Sequence, residues 1–472
     1  MGERATLSPR QLARWMKGDV GQPRPVTQRV AEDFWGYPFE VLLGPADAMQ
    51  ARDRIGDDLA PAYVANGVGA QLQLALSAID SVLSGDVAVQ GGPDLPERAG
   101  GRILSAPAGR FFDGLTIETQ AHPAIDDGRI LAAVPAGYVN DDFLRRPRRG
   151  LVIGVTDRQD RRTVFGVDTR QARRTLARSS TNASLVLPRA YALDEVTFGI
   201  LWAVANLDEA LIHDDALLAD LQDHLAGYET LPQSAAGREL AADLTAVSQM
   251  WVGSDFCARH ILRHLDDLGG APEFWTREQR GEEASTWLLF RHKYEYLQVI
   301  MERFGDTPLS RSFCIPPDAV AASPPGERVL LMLAATLMES FKISIAVYTD
   351  PEYSAVPGFV LDSGRRVIVA NWVGADGIWR VGVSTSRATV REYGDITGYT
   401  RSHSAVAGAT PAQRLHRLAD YLSLDWLTLT RRCAELGEYG TAGIAEPRSR
   451  LLSTMGLDRA CRYLGQLSAP GR

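Results

Sequence analysis

The chain has 472 residues, and its 45% hydrophobic and 23% charged residues are ordinary for a globular protein of about three domains. Fifty basic and 58 acidic residues give a net charge of −8, which argues against a protein that binds nucleic acid over its whole surface. The sequence contains no run of about 18 apolar residues, so no membrane span is predicted. The polar N-terminus and the four cysteines, which form no CxxC pair, predict a cytoplasmic protein without disulfides.

Basic residues concentrate in two segments of this acidic chain. Residues 1–30 hold six basic and two acidic residues, and residues 144–178 hold eleven arginines and three aspartates. Such clusters can face phosphate groups, or they can be solvated loops and helix surfaces. The clustering leaves both interpretations open.

The first 45 residues predict two or three short helices. Ser8-Pro9-Arg10-Gln11 has the pattern of a helix start, because serine caps the helix, proline suits its first turn and glutamine reaches back to the cap. Gly18 ends this first helix. A second helix is predicted from Pro25 to Trp35.

The segment from Leu7 to Gly18, with Pro23 to Pro25 and Trp35 to Gly44 after it, resembles the later part of a helix-turn-helix domain of the Xre (lambda-repressor-like) family. The resemblance implies a recognition helix that reads base edges in the major groove of promoter DNA, flanked by residues that contact phosphates. The residues implied for the groove are Ser8, Arg10, Gln11 and Arg14. Those implied near phosphates are Lys17 and Arg24.

Only residues 1–7 precede this recognition helix, so the resemblance covers an incomplete DNA-binding domain. Either the chain as given starts inside its true reading frame, or the domain no longer docks on DNA. The stretches Trp251–His260, Phe274–Glu283 and Tyr353–Phe359 resemble the long C-terminal regions of large actinobacterial Xre-type regulators. This second resemblance implies a sensing or oligomerising body over most of the chain.

The rest of the chain predicts an α+β protein in three further parts: an α+β segment with the second basic cluster over residues 46–190, a helical region over 191–310, and an α+β C-terminal domain over 311–472. The middle segment predicts a helix at Thr169–Arg178 and strands at Leu115–Thr119, Ile130–Val134, Leu151–Val155 and Val164–Val167. The last domain predicts an apolar helix at Glu327–Phe341 and strands at Ile343–Tyr348, Phe359–Leu361, Val367–Ala370 and Trp379–Val383.

One group of residues has a spacing that could suit a metal. Cys257, His260 and His264 recur at i, i+3 and i+7, which would place them on one face of a helix, and a thiolate with two imidazoles suits zinc. The preferred alternative is an amphipathic helix whose cysteine is a small core residue. The sequence therefore predicts neither a metal nor a cofactor, and these three residues are the weak candidates.

An aromatic stripe with helical spacing lies within a helix predicted over residues 277–304. Core packing is typical of such a stripe. The alternative is a wall of an apolar pocket for a small molecule, in which a neighbouring polar side chain orients the ligand. The pocket candidates are Trp287, Phe290, Arg291 and Tyr294, with His292 and Tyr296 as further polar candidates.

These patterns predict a transcriptional regulator that binds promoter DNA, forms a homodimer and responds to a small-molecule effector. A dimer in turn predicts a palindromic DNA site. No catalytic residue is predicted, since no nucleophile, P-loop or HExxH motif occurs. Two alternatives stay open: an enzyme of unknown reaction with a Cys/His metal site, and a protein-interaction module that has lost DNA binding.

Overall fold

A computed structural model describes residues 99–106, 108–126, 131–135, 149–156, 162–178, 184–228, 231, 233–237, 241–371 and 378–467. These residues form a mixed α/β protein that divides into two compact units. The first unit takes its described residues from 99–105 and 116–192, and the second from 106–115 and 193–467. The implied DNA-binding residues lie outside the described residues, so their role stays a prediction: Ser8, Arg10, Gln11, Arg14, Lys17 and Arg24.

Six strands form the sheet of the first unit: β1 (Ala99–Ala106), β2 (Leu115–Asp126), β3 (Leu131–Pro135), β4 (Arg149–Thr156), β5 (Arg162–Asp168) and β6 (Ser184–Pro188). Their order is β5-β4-β2-β3-β6, and β1 also pairs with β2. β2 and β4 are parallel, whereas the pairs β2–β3, β3–β6 and β4–β5 are antiparallel. Helix α1 (Thr169–Arg178) follows β5 directly and contacts β4, β5 and β6.

The four strands predicted in this segment are confirmed as β2, β3, β4 and β5, and the helix at Thr169–Arg178 has its predicted bounds. β1 was not predicted. It contains Gly100 and Gly101 and follows a stretch rich in glycine and proline, which is typical of a loop. Pairing with β2 stabilises a strand there that local composition disfavours.

Seven strands form the sheet of the second unit: β7 (Gln233–Gly237), β8 (Glu273–Thr276), β9 (Leu309–Cys314), β10 (Ile343–Tyr348), β11 (Phe359–Asp362), β12 (Arg366–Asn371) and β13 (Ile378–Ser384). Their order is β10-β9-β8-β11-β12-β13-β7. β8, β9 and β10 are parallel to one another, and the other neighbours are antiparallel. The four strands predicted after residue 340 are confirmed.

The described part of the second unit also contains eleven helices. They are α2 (Glu195–His213), α3 (Asp215–Ala226), α4 (Ala246–Arg263), α5 (Gly281–Leu289), α6 (Arg291–Phe304), α7 (Pro317–Ala322), α8 (Pro325–Ser340), α9 (Arg387–Ser402), α10 (Pro411–Tyr421), α11 (Trp426–Tyr439) and α12 (Met455–Gln466). Several begin at clear caps. At α2, for example, Asp194 accepts hydrogen bonds from the backbone of Val196 and Thr197, both at 3.0 Å.

Helix α8 is buried on all sides. It contacts α2, α5, α10 and α12 as well as β10, and this explains a sequence that is apolar around the whole helix. The predicted helix at Glu327–Phe341 is confirmed as α8. Gly199 of α2 lies so close to α8 that a Cβ atom there would stand 2.5 Å from the carbonyl oxygen of Gly326.

The prediction of one continuous helix over residues 277–304 is wrong, because the helical segment is broken at Phe290. This residue has φ −69° and ψ 121°, so α5 ends before it and α6 begins after it. The backbone groups beside the break bond to a distant segment: Arg291 N–H donates to Leu451 O at 3.0 Å, and Ser453 N–H donates to Leu289 O at 2.9 Å. Long-range hydrogen bonds thus replace helical ones, which helical periodicity cannot reveal.

The predicted division after residue 310 does not separate two units. β7 and β8 lie before it, in the region predicted to be helical, and β8 pairs with β9 beyond it. The segment over residues 193–467 is therefore part of one unit with one sheet. None of the helices in the described residues combines the length and hydropathy needed to cross a membrane.

The short segment before β2 is attached to the second unit through one carboxylate. Glu282, which is 1% exposed, accepts hydrogen bonds from the backbone N–H groups of Arg110, Phe111 and Phe112 at 2.6, 3.1 and 3.3 Å. Phe112 is buried and packs edge to face on Trp202, with 4.8 Å between the ring centroids. The described residues of 106–115 accordingly belong to the second unit, and Phe112 is part of its core.

Candidate functional site

A small cavity lies between the sheet of the second unit and three of its helices. Its volume is about 60 Å³, and its walls come from β8, β9, β11, β12, α4, α5 and α6. On α4 the lining residues recur at i, i+3, i+4 and i+7, so they share one face: Ser254, Cys257, Ala258 and Ile261. Several walls are aromatic, yet four charged residues also line the cavity: Arg277, Glu278, Lys293 and Arg311. Arg277 is half-buried, and its Nη1 donates to Asn371 Oδ1 at 3.1 Å.

Arg311 is the most unusual of these charged residues, because it is an arginine in the interior of a sheet. It lies on β9 and is 3% exposed. Its Nη1 donates to Thr276 Oγ1 on β8 at 2.6 Å. Its guanidinium carbon stands 4.4 Å from the ring centroid of Trp287 and 4.7 Å from that of Phe274, so aromatic faces stabilise the buried charge.

Two donors of Arg311 remain without a partner. Nε and Nη2 are buried, and neither makes a hydrogen bond of ordinary geometry within the described residues. The Tyr296 hydroxyl lies near the guanidinium and raises its pKa. These two nitrogens form one edge of the guanidinium, and their N–H bonds point the same way, which is the geometry that binds both oxygens of a carboxylate. Because an unsatisfied buried donor is costly, this edge favours an acceptor from outside the chain.

A lysine and a glutamate form a buried pair beside this edge. Lys293 Nζ donates to Glu278 Oε1 at 3.2 Å and to Thr286 Oγ1 at 2.8 Å. The indole N–H of Trp287 donates to the same glutamate oxygen at 2.8 Å. Lys293 Nζ also lies 4.3 Å from the ring centroid of Trp287, so the two cations of the cavity contact one indole.

Three of these charged residues are fully buried: the basic Lys293 and Arg311, and the acidic Glu278. Burial lowers the pKa of Lys293 to about 7, although Glu278 raises it, and Arg311 lowers it further. Burial also lowers the pKa of Arg311, against the raising effect of Tyr296 and Glu278. Burial is the largest cause of both shifts, so both charged forms are stabilised less in the cavity than in water. An anionic ligand would stabilise both of them.

Two smaller groups of the lining are weaker candidates for chemistry. Burial raises the pKa of the Cys257 thiol well above its usual range, so it stays protonated. Ser254 Oγ lies 2.8 Å from His292 Nε2 and 3.0 Å from the carbonyl oxygen of Trp251. Its single hydrogen can serve only one of these acceptors. If it goes to the carbonyl, as in many helices, the imidazole donates to the serine and does not activate it.

The predicted pocket residues separate at the break before α6. Trp287 lines the cavity, and so does Tyr296. The other three predicted residues lie elsewhere. Phe290 is fully buried in the break, Arg291 is exposed and donates to Leu452 O at 3.5 Å, and Tyr294 packs on Phe341 with 5.6 Å between their centroids. One continuous helix would have placed Trp287, Phe290 and Tyr294 on one face; the break turns the last two away.

The candidate metal residues do not form a binding group. His264 follows the last residue of α4, and its Nδ1 lies 3.1 Å from Asp267 Oδ2. His260 packs against His264, and both its ring nitrogens are buried without a partner among the described residues. Burial lowers the pKa of His260 to about 4, so the ring is neutral. Within the described residues, no group of three or more His, Cys, Asp or Glu side chains is placed to hold a metal ion.

The three fully buried charged residues of the cavity were missed from the sequence: Glu278, Lys293 and Arg311. One signal was present. Only three of the fifty basic residues of the chain are lysines, so a lysine is an exception in a chain whose basic residues are almost all arginines. The convergence of the three residues could not be found, because they come from the segment after β8, from α6 and from β9.

Comparisons with family models, with curated proteins and with solved structures give no match to this chain.

Proposed function

We propose that this protein is a DNA-binding transcriptional regulator whose second unit binds a small oxyanion as its effector. The unpartnered edge of Arg311, buried beside a second basic group, is the observation that supports effector binding. The resemblance of residues 7–44 to the Xre family supports the DNA-binding half of the proposal. A homodimer on a palindromic site is the assembly that fits this family.

The effector that fits the edge best is a carboxylate. Its two oxygens match Nε and Nη2 in spacing, and the aromatic walls suit a short apolar or planar remainder. A tetrahedral oxyanion such as phosphate or sulfate offers the same pair of oxygens but more negative charge and more bulk. The aromatic walls of the cavity disfavour the additional charged oxygens, so the carboxylate is preferred.

Titration calorimetry of the full chain with acetate and with phosphate tests the proposal. Arg311→Met should weaken acetate binding by about tenfold to a hundredfold, because two charge-assisted hydrogen bonds are lost. The variant should still fold, since an apolar side chain between Phe274 and Trp287 replaces a buried charge.

Arg391→Met is the matched control. Arg391 is exposed on α9, outside the lining of the cavity, so its removal should leave acetate binding unchanged. Equal affinities in wild type and Arg311→Met would contradict the proposed effector site. So would an equal loss in both variants, since that would indicate a nonspecific effect of surface charge.

A further inference from the structure

Arg311 fixes one end of the effector. A carboxylate bound to its unpartnered edge accounts for three non-hydrogen atoms, and the small cavity, at about 60 Å³, favours a short remainder. That remainder must lie against the groups that surround the guanidinium.

Lys293 is one of those groups. Lys293 lines the same cavity as Arg311, and both cations contact the indole of Trp287, at 4.3 and 4.4 Å from the ring centroid. The charge of Arg311 also lowers the pKa of Lys293, so the two groups interact directly. One small molecule in the cavity can therefore be placed against both residues. In a chain that uses arginine almost throughout, the second basic group is a primary amine, which can react with a carbonyl group, whereas a guanidinium cannot.

Resting on the proposed carboxylate site, we propose that Lys293 binds a short 2-oxo acid, such as glyoxylate or pyruvate, as an imine while Arg311 holds the carboxylate. In such acids the reactive carbonyl carbon is bonded directly to the carboxylate carbon, so a ligand of five or six non-hydrogen atoms presents both groups, in keeping with the volume. The amine forms a C–N bond to the carbonyl carbon. The carbonyl C–O bond breaks, and the oxygen leaves as water with both amine hydrogens, so no oxidant or reductant is needed.

The surroundings of Lys293 favour this reaction. Burial brings the pKa of Lys293 to about 7, so a substantial fraction is the neutral amine at neutral pH. Glu278 Oε1, at 3.2 Å from Nζ, is placed to take up and return the proton. Thr286 Oγ1, at 2.8 Å, fixes the direction of the amine.

The chain offers an internal control for the test, because it has only three lysines: Lys17, Lys293 and Lys342. Lys342 is exposed at the end of α8, whereas Lys293 is 2% exposed. The full chain is treated with pyruvate and sodium cyanoborohydride, digested, and mapped by mass spectrometry. We expect the reduced adduct on Lys293 to exceed that on Lys342 by more than about tenfold, since the cavity holds the carbonyl next to the amine.

Two controls separate covalent binding from simple exposure. Arg311→Met should remove the excess of adduct on Lys293 and leave Lys342 unchanged, and propanal, which has no carboxylate, should label the exposed lysine preferentially. The paired variant Lys293→Met with Glu278→Gln removes both charges of the buried pair together, so it should fold and lose the adduct at this position.

The inference is overturned if Lys342 carries as much adduct as Lys293. It is also overturned if pyruvate binds in an Arg311-dependent way but no adduct forms on Lys293; the proposed carboxylate site would then stand alone. If neither acetate nor pyruvate binds in a way that depends on Arg311, the proposed function fails together with the imine.

Discussion

Single residues determine what the cavity of the second unit can bind. Arg311 supplies direction, because its unpartnered edge can donate two hydrogen bonds to two oxygens in one plane. Lys293 supplies a group whose charge depends on pH, since burial brings its pKa to about 7. Two further lining groups have pKa values far above neutrality. Burial raises the pKa of Tyr296 to about 12 and that of Cys257 well above its usual range.

Binding of acetate should therefore weaken as the pH rises. An anion in the cavity favours the charged form of Lys293, so binding takes up a proton whenever the free amine is neutral. The affinity should be nearly constant below about pH 6 and should fall by up to tenfold per unit above about pH 7. Calorimetry over a series of pH values from below about 6 to above about 7, in two buffers of different ionisation enthalpy, would measure both the affinity and the proton uptake.

A second group titrates in the same range and needs its own control. Burial raises the pKa of Glu283 to about 7. Its carboxylate accepts hydrogen bonds from the backbone N–H groups of Gln279 and Arg280, and it does not line the cavity. Glu283→Gln should keep the pH dependence of acetate binding, and Lys293→Met with Glu278→Gln should abolish it. The reverse result would assign the titration to Glu283.

How much of the site the sequence could predict follows from how far apart its residues are. Trp287 was predicted from aromatic spacing, because the members of a stripe are neighbours on one helix. Arg311 could not be predicted, since a lone arginine in a short strand is indistinguishable from an exposed one until the pairing of β8 with β9 buries it. Phe290 and Tyr294 were assigned to the pocket only because the break between α5 and α6 has no local signal.

At the scale of the elements, the long apolar segments were predicted well and the short ones were not. α8 and β10 were confirmed because their sixteen and six mostly apolar residues form clear apolar runs of helix and strand length. β8 has four residues and β7 is Gln-Ser-Ala-Ala-Gly, so neither carries a strand pattern, and each is a strand through its partners. Tertiary pairing, not propensity, decides such segments.

The close contact between α2 and α8 leads to a prediction about stability. Gly199→Ala places a Cβ atom 2.5 Å from a backbone oxygen, which cannot rotate away, so we expect a loss of about 1–3 kcal/mol in the free energy of unfolding. Gly398 of α9 is the matched control, because a Cβ atom there meets nothing within 4 Å. Gly398→Ala should stabilise by about 0.5–1 kcal/mol through helix propensity alone.

Urea unfolding of the two variants, followed by circular dichroism, measures this difference. Opposite signs would confirm that the α2–α8 contact is as close as described. Stabilisation by both substitutions would show that the two helices can move apart at little cost.

At the scale of the whole molecule, the proposed function predicts salt-dependent binding to duplex DNA from the promoter region of its own gene. Lys17→Ala with Arg24→Ala should reduce the slope of log affinity against log salt concentration by about two, since each residue is implied to contact one phosphate. Arg391→Ala, on the exposed face of α9, should leave the slope unchanged. Fluorescence anisotropy over a salt series measures all three proteins.

A wild-type chain that shows no salt-dependent binding would favour the interaction module over the regulator. Acetate or pyruvate added to the wild-type complex tests whether the two halves of the proposed function are linked. If the effector changes DNA affinity, DNA must change effector affinity by the same factor, which calorimetry can verify.

The attachment of residues 106–115 through Glu282 has a practical consequence for anyone who wishes to express the second unit alone. The second unit is built from separate stretches of the chain. A fragment that starts at residue 193 would therefore omit Phe112 and the three backbone N–H groups that donate to the Glu282 carboxylate. That fragment would expose Trp202 and leave the buried Glu282 carboxylate without these three donors. Its melting temperature would therefore be lower than that of the parent protein. A soluble excised version requires the missing decapeptide to be fused back, or supplied in trans as a synthetic peptide.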